Sequence, residues 1–367
     1  MGISKNNRIL IYRLGSLGDT IMALPSFHKI KNSFPLADIT LLTNKPVMTK
    51  AAAIETILGT EYFFNRTINY PVGTRSIMVL FNLIRQIRAL KIDTVVSITP
   101  TRSKKALFRD SLFFRAAGIT NLIGFDGLKE DFEICIDPQT GIDEWEAKRL
   151  ARRIKVLGDV DFNDPNNWDL HLKKTETDAA NKYIDVMAQG KPVFAISLGT
   201  KNQANDWGID NWQALLAQLS GVILNWTLII LGAEDDDHAA EECLKAWGRD
   251  GINLCGKITP RISAALLKKA ELFIGHDSGP IHLAACAGIP CVGIYSARNM
   301  PGQWFPRGNN NKILYKLPEC AGCGLEICTV QQKKCILSIT VNEVKQAVME
   351  IVDMKKTKVN TVLPISL

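Results

Sequence analysis

What most constrains this chain is an alternation, met twice, of short apolar strand-like runs with helix-like segments. Arg8–Tyr12, Asp38–Thr43 and Thr94–Ile98 read as buried strands. Thr20–Asn32, Ser76–Leu90 and Lys104–Ala117 carry helical periodicity between and after them. A polar stretch rich in Asn, Asp and Pro, Asp159–Trp168, interrupts the pattern. The helical run Glu176–Ala188 then opens a second half, with strands Val193–Leu198, Thr227–Leu231, Leu272–Gly275 and Cys291–Tyr295 and helices such as Trp212–Leu219 and Ala264–Ala270. Near-continuous apolar strands need helices on both faces, which means parallel sheets. Two such halves predict an α/β protein of two Rossmann-like, doubly wound domains facing a central cleft, with ligands at the carboxyl ends of the strands. The boundaries expected are residues 1–172 and 173–352, with 353–367 a loose tail. A length of 367 residues gives each half enough chain for its own core.

With 46% hydrophobic and 22% charged residues, the composition excludes a disordered or fibrous chain. A net charge of +7 is too small to suggest a nucleic-acid partner. It suits phosphorylated substrates or the anionic surface of an inner membrane. No apolar run reaches the ~20 residues a bilayer span requires, and Met1–Arg8 does not read as a signal peptide. The expected location is cytoplasmic, either free or peripheral on the inner face of the membrane.

Three segments carry chemistry. Tyr12–Thr20 runs from a strand end through Gly15 and Gly18 into a helix start, and places Asp19 near the helix N-terminus. Asp19 there is either an N-cap or a general base facing the cleft. The loop lacks the full Gly-x-Gly-x-x-Gly pattern, and Asp38 precedes its strand instead of ending it, which argues against NAD. The second segment, Phe273–Ala285, is a strand, a polar turn and a small-residue helix. Backbone N–H groups at Ser278 and Gly279, with the helix dipole, would suit a diphosphate, and Pro280 fits the first helical turn. His282, one turn in, is either a ligand or a buried structural histidine. The third, Leu231–His238, holds Glu234, Asp235, Asp236 and Asp237; one of them could hold ribose hydroxyls, or the run is a solvated helix start.

Taken together, Arg13–Asp19 with Leu24-Pro25, and Asp277–Ala285, resemble the two signatures of the family 9 glycosyltransferases, which include the heptosyltransferases of lipopolysaccharide assembly. The resemblance covers roughly residues 8–348. It implies a GT-B fold and inverting transfer, with no cofactor required, from a nucleotide-diphosphate sugar, ADP-linked heptose by preference, to a glycolipid or glycan acceptor. On that pattern Asp19 is the catalytic base. Asp277, Ser278, Gly279, Pro280 and His282 meet the donor, joined by Lys201, Glu234 and Asp236. Arg13, Ser16, Gly18, Arg102 and Lys104 are expected to meet the acceptor; the last two could equally be a solvated helix start. One departure stands out: Asn205 and Gly208 flank Trp207 where the family pattern has Lys and Pro, leaving Lys201 to substitute. A nucleotide-sugar 2-epimerase-type isomerase on the same fold, or a non-catalytic assembly protein, are the alternatives.

Nine cysteines remain. Cys135, Cys243, Cys255, Cys286 and Cys291 sit singly and read as reduced core residues. Cys320, Cys323, Cys328 and Cys335 cluster at spacings that could hold a structural Zn or Fe, remain as free thiols, or form a disulfide. Some relatives bind a metal with a similar group.

Overall fold

A computed structural model describes residues 8–45, 52–100, 103–127 and 132–362, with side chains described through residue 355. The chain divides into two compact units, Met1–His171 and Leu172–Leu367.

The first unit runs β1 (Arg8–Tyr12), α1 (Leu17–Met22), α2 (Leu24–Ser33), β2 (Asp38–Asn44), α3 (Ile54–Leu58), β3 (Arg66–Tyr70), α4 (Ile77–Ala89), β4 (Thr94–Ser97), α5 (Lys104–Ala116), β5 (Asn121–Ile123) and α6 (Glu146–Arg153). Its five strands are all parallel, in the order β3-β2-β1-β4-β5. The order reverses between β1 and β4. Chain leaving these two strands therefore diverges to opposite faces of the sheet and opens a crevice at their carboxyl ends. The expected single helix over Thr20–Asn32 is two helices, broken at Ala23. Pro25 is the reason, because it has no N–H to donate back to Ile21 and its ring crowds that carbonyl.

The second unit runs α7 (Lys174–Met187), β6 (Val193–Ser197), α8 (Ile209–Ser220), β7 (Thr227–Ile230), α9 (Asp237–Trp247), β8 (Gly251–Asn253), α10 (Pro260–Leu267), β9 (Leu272–His276), α11 (Gly279–Cys286), β10 (Cys291–Tyr295), β11 (Lys312–Tyr315), α12 (Lys334–Leu337) and α13 (Val341–Val362). The sheet is again fully parallel, in the order β11-β10-β9-β6-β7-β8, and reverses between β6 and β9. α13 continues to Val362, into the segment expected to be a tail. No Gly or Pro interrupts the chain from Val341 until Pro364. No helix among the described residues is long and apolar enough to cross a membrane.

Trp207, Trp212 and Trp247 fill the core of this unit between the sheet and α8, α9 and α13. His276 is buried beside them, with its Nε2 accepting the Trp207 backbone N–H at 3.2 Å. That bond needs the ring nitrogen's lone pair, and burial pushes the His276 pKa down to about 4. The folded pKa lies below the unfolded value near ~6.5, so the unfolded chain binds the proton first. Stability is therefore expected to fall as pH drops from about 6.5 to about 4, by about 3 kcal/mol at the lower end. Melting temperature against pH checks this. His276→Gln keeps an acceptor and should flatten that window; a variant with the wild-type slope would assign the slope to other groups.

Candidate functional site

The two sequence signatures lie at the two points of strand-order reversal. In the first unit, the loop leaving β1 is held on both sides. The Gly15 N–H donates to Asn44 Oδ1 at 2.8 Å, and the Leu14 N–H to Thr99 Oγ1 at 3.1 Å. Thr99 in turn donates to the Tyr12 carbonyl at 3.0 Å. Asp19 sits in the first turn of α1. Its Oδ2 accepts the Ser16 N–H at 2.9 Å and the Ser16 hydroxyl at 3.1 Å, closing the helix start. Gly15 is obligatory here: its φ is +149°, and a Cβ would lie 2.3 Å from the Cβ of Asp19. Asp19 thus closes the helix start as the partner of the N-cap residue Ser16, yet its side chain is still 36% exposed.

Arg13 needs correction as an acceptor-binding residue, because it is fully buried. Its Nη1 donates to the Ile98 carbonyl at 2.7 Å and its Nη2 to the Asp19 carbonyl; Nη2 also lies 3.9 Å from Asp19 Oδ1. Burial lowers the Arg13 pKa, while Asp19 and buried Glu146 oppose the shift. Arg13 therefore positions Asp19 by tying the loops after β1 and β4 together. Glu146, on α6, is a contributor that sequence reasoning missed, since nothing in a helix start signals that it will face a buried arginine. Ser16, at the N-cap of α1, and Gly18, in its first turn, stay partly exposed, and Lys104 is exposed at the start of α5. Arg102 lies outside the described residues.

In the second unit, Ser278 is the N-terminal boundary of α11, but its side chain does not cap the helix. The Ser278 Oγ is buried and has no hydrogen-bond partner among the described residues. Gly279 and Pro280 form the first turn. His282 is buried, its Nε2 is 4.0 Å from Asp277 Oδ1, and its ring meets the edge of Trp304 at 6.2 Å between centroids. A depression beside Asp277 is walled by Tyr295, Asn299, Trp304 and Phe305, none of which the sequence singled out.

Asn205 shows why the family's lysine position can differ. It is buried, its Nδ2 donates to the Asp277 carbonyl at 2.9 Å, and its Oδ1 accepts from the Ser296 hydroxyl. It clamps the loop after β6 to the turn after β9, across the reversal point. Asn205→Ala should cost about 1–3 kcal/mol, because the Asp277 carbonyl and Ser296 hydroxyl lose a buried partner. Chemical denaturation measures this, and an unchanged midpoint would refute the clamp. Lys201 is exposed on the same loop. Glu234 is exposed at the carboxyl end of β7. Asp236 is turned inward instead: it is buried, its Oδ2 accepts the Ala233 N–H at 3.0 Å, and it packs so close to Gly199 that a Cβ there would lie 2.1 Å away. Of the two acids expected at the donor, only Glu234 is presented at the surface.

The four clustered cysteines line one small apolar pocket with Ala204 and Pro318. Backbone N–H groups of Lys333, Gln331 and Val330 lower the Cys328 pKa, whereas burial raises that of Cys335. Among the described residues, no group of three or more His, Cys, Asp or Glu side chains is placed to hold a metal ion. A tetrahedral sulfur site needs all its ligands converging as thiolates, and the expectation of structural Zn or Fe gains no support from the described residues. The segment is instead a buttress. The Ala204 N–H donates to the Glu326 carbonyl at 3.0 Å, the Cys328 N–H to Gln203 at 3.1 Å, and Lys333 Nζ to Asp206 at 2.8 and 3.1 Å. Each tie supports the loop that carries Asn205. Outside the cluster, Cys135 is exposed and Cys286 half-buried, so neither is the core residue its context suggested.

Comparison with known proteins agrees with this geometry. The lipopolysaccharide core heptosyltransferase OpsX of Haemophilus influenzae is 20% identical over 309 residues, covering 83% of each chain. The crystal structure of a family 9 glycosyl transferase from Veillonella parvula superposes with a TM-score of 0.70 at 17% identity, covering 96% of this chain and 98% of that one. The E. coli heptosyltransferase WaaC, solved with ADP-2-deoxy-2-fluoro heptose, superposes with a TM-score of 0.59 at 15% identity, covering 94% and 99%. The model of glycosyltransferase family 9 (heptosyltransferase) matches residues 80–334, well over half the chain, and with the two parallel sheets it establishes that this protein is a GT-B-fold glycosyltransferase of that family.

Proposed function

We propose that the chain transfers a heptose from an ADP-linked donor to a hydroxyl of a lipopolysaccharide core or related cell-surface glycan, inverting the anomeric carbon. The observation that carries the donor half is the start of α11. There a helix of eight residues begins at a strand-order reversal, uncapped by its own Ser278, whose buried hydroxyl has no partner among the described residues. Backbone N–H groups and the helix dipole at such an end favour a diphosphate. Glu234 is the acid in position to take the ribose hydroxyls, and Lys201 the cation for the phosphates.

In the transfer step the acceptor oxygen bonds to the anomeric carbon, and its proton passes to Asp19. The bond from that carbon to the diphosphate breaks, and the electron pair leaves with the nucleotide diphosphate. Arg13 holds the Asp19 loop in register without touching either substrate. The helix end and Lys201 stabilise the leaving group. The acceptor class places the reaction at the cytoplasmic face of the inner membrane.

Incubating the protein with ADP-, UDP-, GDP- and dTDP-sugars, with and without acceptor, tests the reading. Acceptor-dependent release of ADP from an ADP-heptose is expected. Release from another nucleotide sugar alone would change the donor, and conversion of the sugar without acceptor would point to an isomerase.

A further inference from the structure

α4 crosses from β3 to β4 and α5 from β4 to β5, so right-handed connections put both on one face of the first sheet. Leu83 and Ile87 of α4 and Phe114 of α5 pack down onto Leu10, Tyr12 and Val95. The opposite sides of these helices should be polar, and they are not. Ile77, Met78 and Phe81 on α4, and Phe108 and Leu112 on α5, are exposed by 55% at the least and 83% at the most. Spacings of four residues, 77 to 81 and 108 to 112, stack them into a stripe on each helix. All but Leu112, which lies just past the midpoint of α5, fall in the leading halves of helices that follow β3 and β4, at the same edge of the sheet as the Asp19 loop.

The charge around them is one-sided. The two helices carry six cations, Arg85, Arg88, Lys104, Lys105, Arg109 and Arg115, against one carboxylate, Asp110, which pairs with Arg109 at 2.8 Å. Apolar side chains among uncompensated cations suit a surface with anionic headgroups over an apolar layer. A second copy of this chain would bring the same cations against them. We propose that this exposed face of α4 and α5 docks the protein on an anionic lipid bilayer, with Ile77, Met78, Phe81, Phe108 and Leu112 entering the headgroup boundary. This rests on the reading of the acceptor as a membrane glycolipid, because docking here brings the Asp19 edge of the sheet to the surface that holds it.

Co-sedimentation with vesicles of mixed phosphatidylethanolamine and phosphatidylglycerol, and with phosphatidylcholine vesicles, tests the docking without any sugar substrate. The wild-type chain should bind the anionic vesicles at least tenfold more tightly, and less so as salt is raised. Ile77→Glu/Phe108→Glu alters only exposed side chains, and its melting temperature checks its fold. It should lose at least tenfold in vesicle affinity. Arg85→Glu should lose affinity for the anionic vesicles only. Unchanged binding by the double variant would overturn the proposal. So would a wild-type chain that ignores the anionic vesicles, or one whose patch variants instead dissociate a dimer. Transfer to a deacylated, water-soluble acceptor is measured separately. The double variant should retain it while losing transfer to vesicle-embedded acceptor. Absence of transfer to either acceptor by the wild type would sink the transferase chemistry and leave the vesicle result standing on its own.

Discussion

Asp19→Asn is expected to lower the transfer rate by about 10²–10⁴-fold, the usual cost of losing a general base. The substitution separates the two tasks of this side chain. Asparagine still offers an oxygen to the Ser16 N–H, which Asp19 holds at 2.9 Å, so the start of α1 survives. What disappears is the ability to take a proton. Melting temperature and donor affinity should therefore stay near wild type while kcat collapses. Asp19→Ala removes both functions and should add about 1 kcal/mol of destabilisation from the lost cap. Steady-state kinetics and melting on the same preparations decide the matter. If Asp19→Asn keeps more than about a tenth of the rate, the residue is a helix cap and the base lies elsewhere.

Gly279→Val should damage donor binding before anything else, by about a hundredfold or more in affinity. Gly279 is the first residue of α11, directly after Ser278, where a phosphate would meet the backbone N–H groups. A β-branched side chain there fills the space the phosphate needs. His282→Ala should do less, about ten- to hundredfold, because it removes one charge-assisted contact of ~1.5–3 kcal/mol. His282 is buried against Trp304, so a purely structural histidine would show itself differently, by a lower melting temperature with near-normal affinity in the folded fraction. Calorimetric titration with ADP, alongside melting, separates the two roles. Unchanged nucleotide affinity in folded Gly279→Val would remove the donor from α11.

Much of this protein is legible along the chain. The central strands are mostly apolar and buried at nearly every position, because both faces of a parallel sheet are covered, and β1 and β10 have the ends their residues predict. Edge strands are different. Arg66–Tyr70, Asn121–Ile123, Gly251–Asn253 and Lys312–Tyr315 are short and incompletely buried, so they carry no apolar run and none was expected. The site divides along the same line. Asp19 and the Asp277–His282 turn announce themselves because a strand, a glycine-bearing turn and a helix start follow one another within a few residues. Arg13, Glu146, Asn205, Ser296 and Asp236 could not be placed from the sequence. Their roles depend on partners up to 133 residues away, as Arg13 and Glu146 show. Local sequence determined where the chain turns and which turns can meet a ligand, because glycine, proline and apolar periodicity act over one or two helical turns. Strand order was decided only by tertiary structure. Which strands become neighbours depends on how the connecting helices pack across the sheets, and that packing puts Asp19 beside a buried arginine and Asp277 in the grip of Asn205.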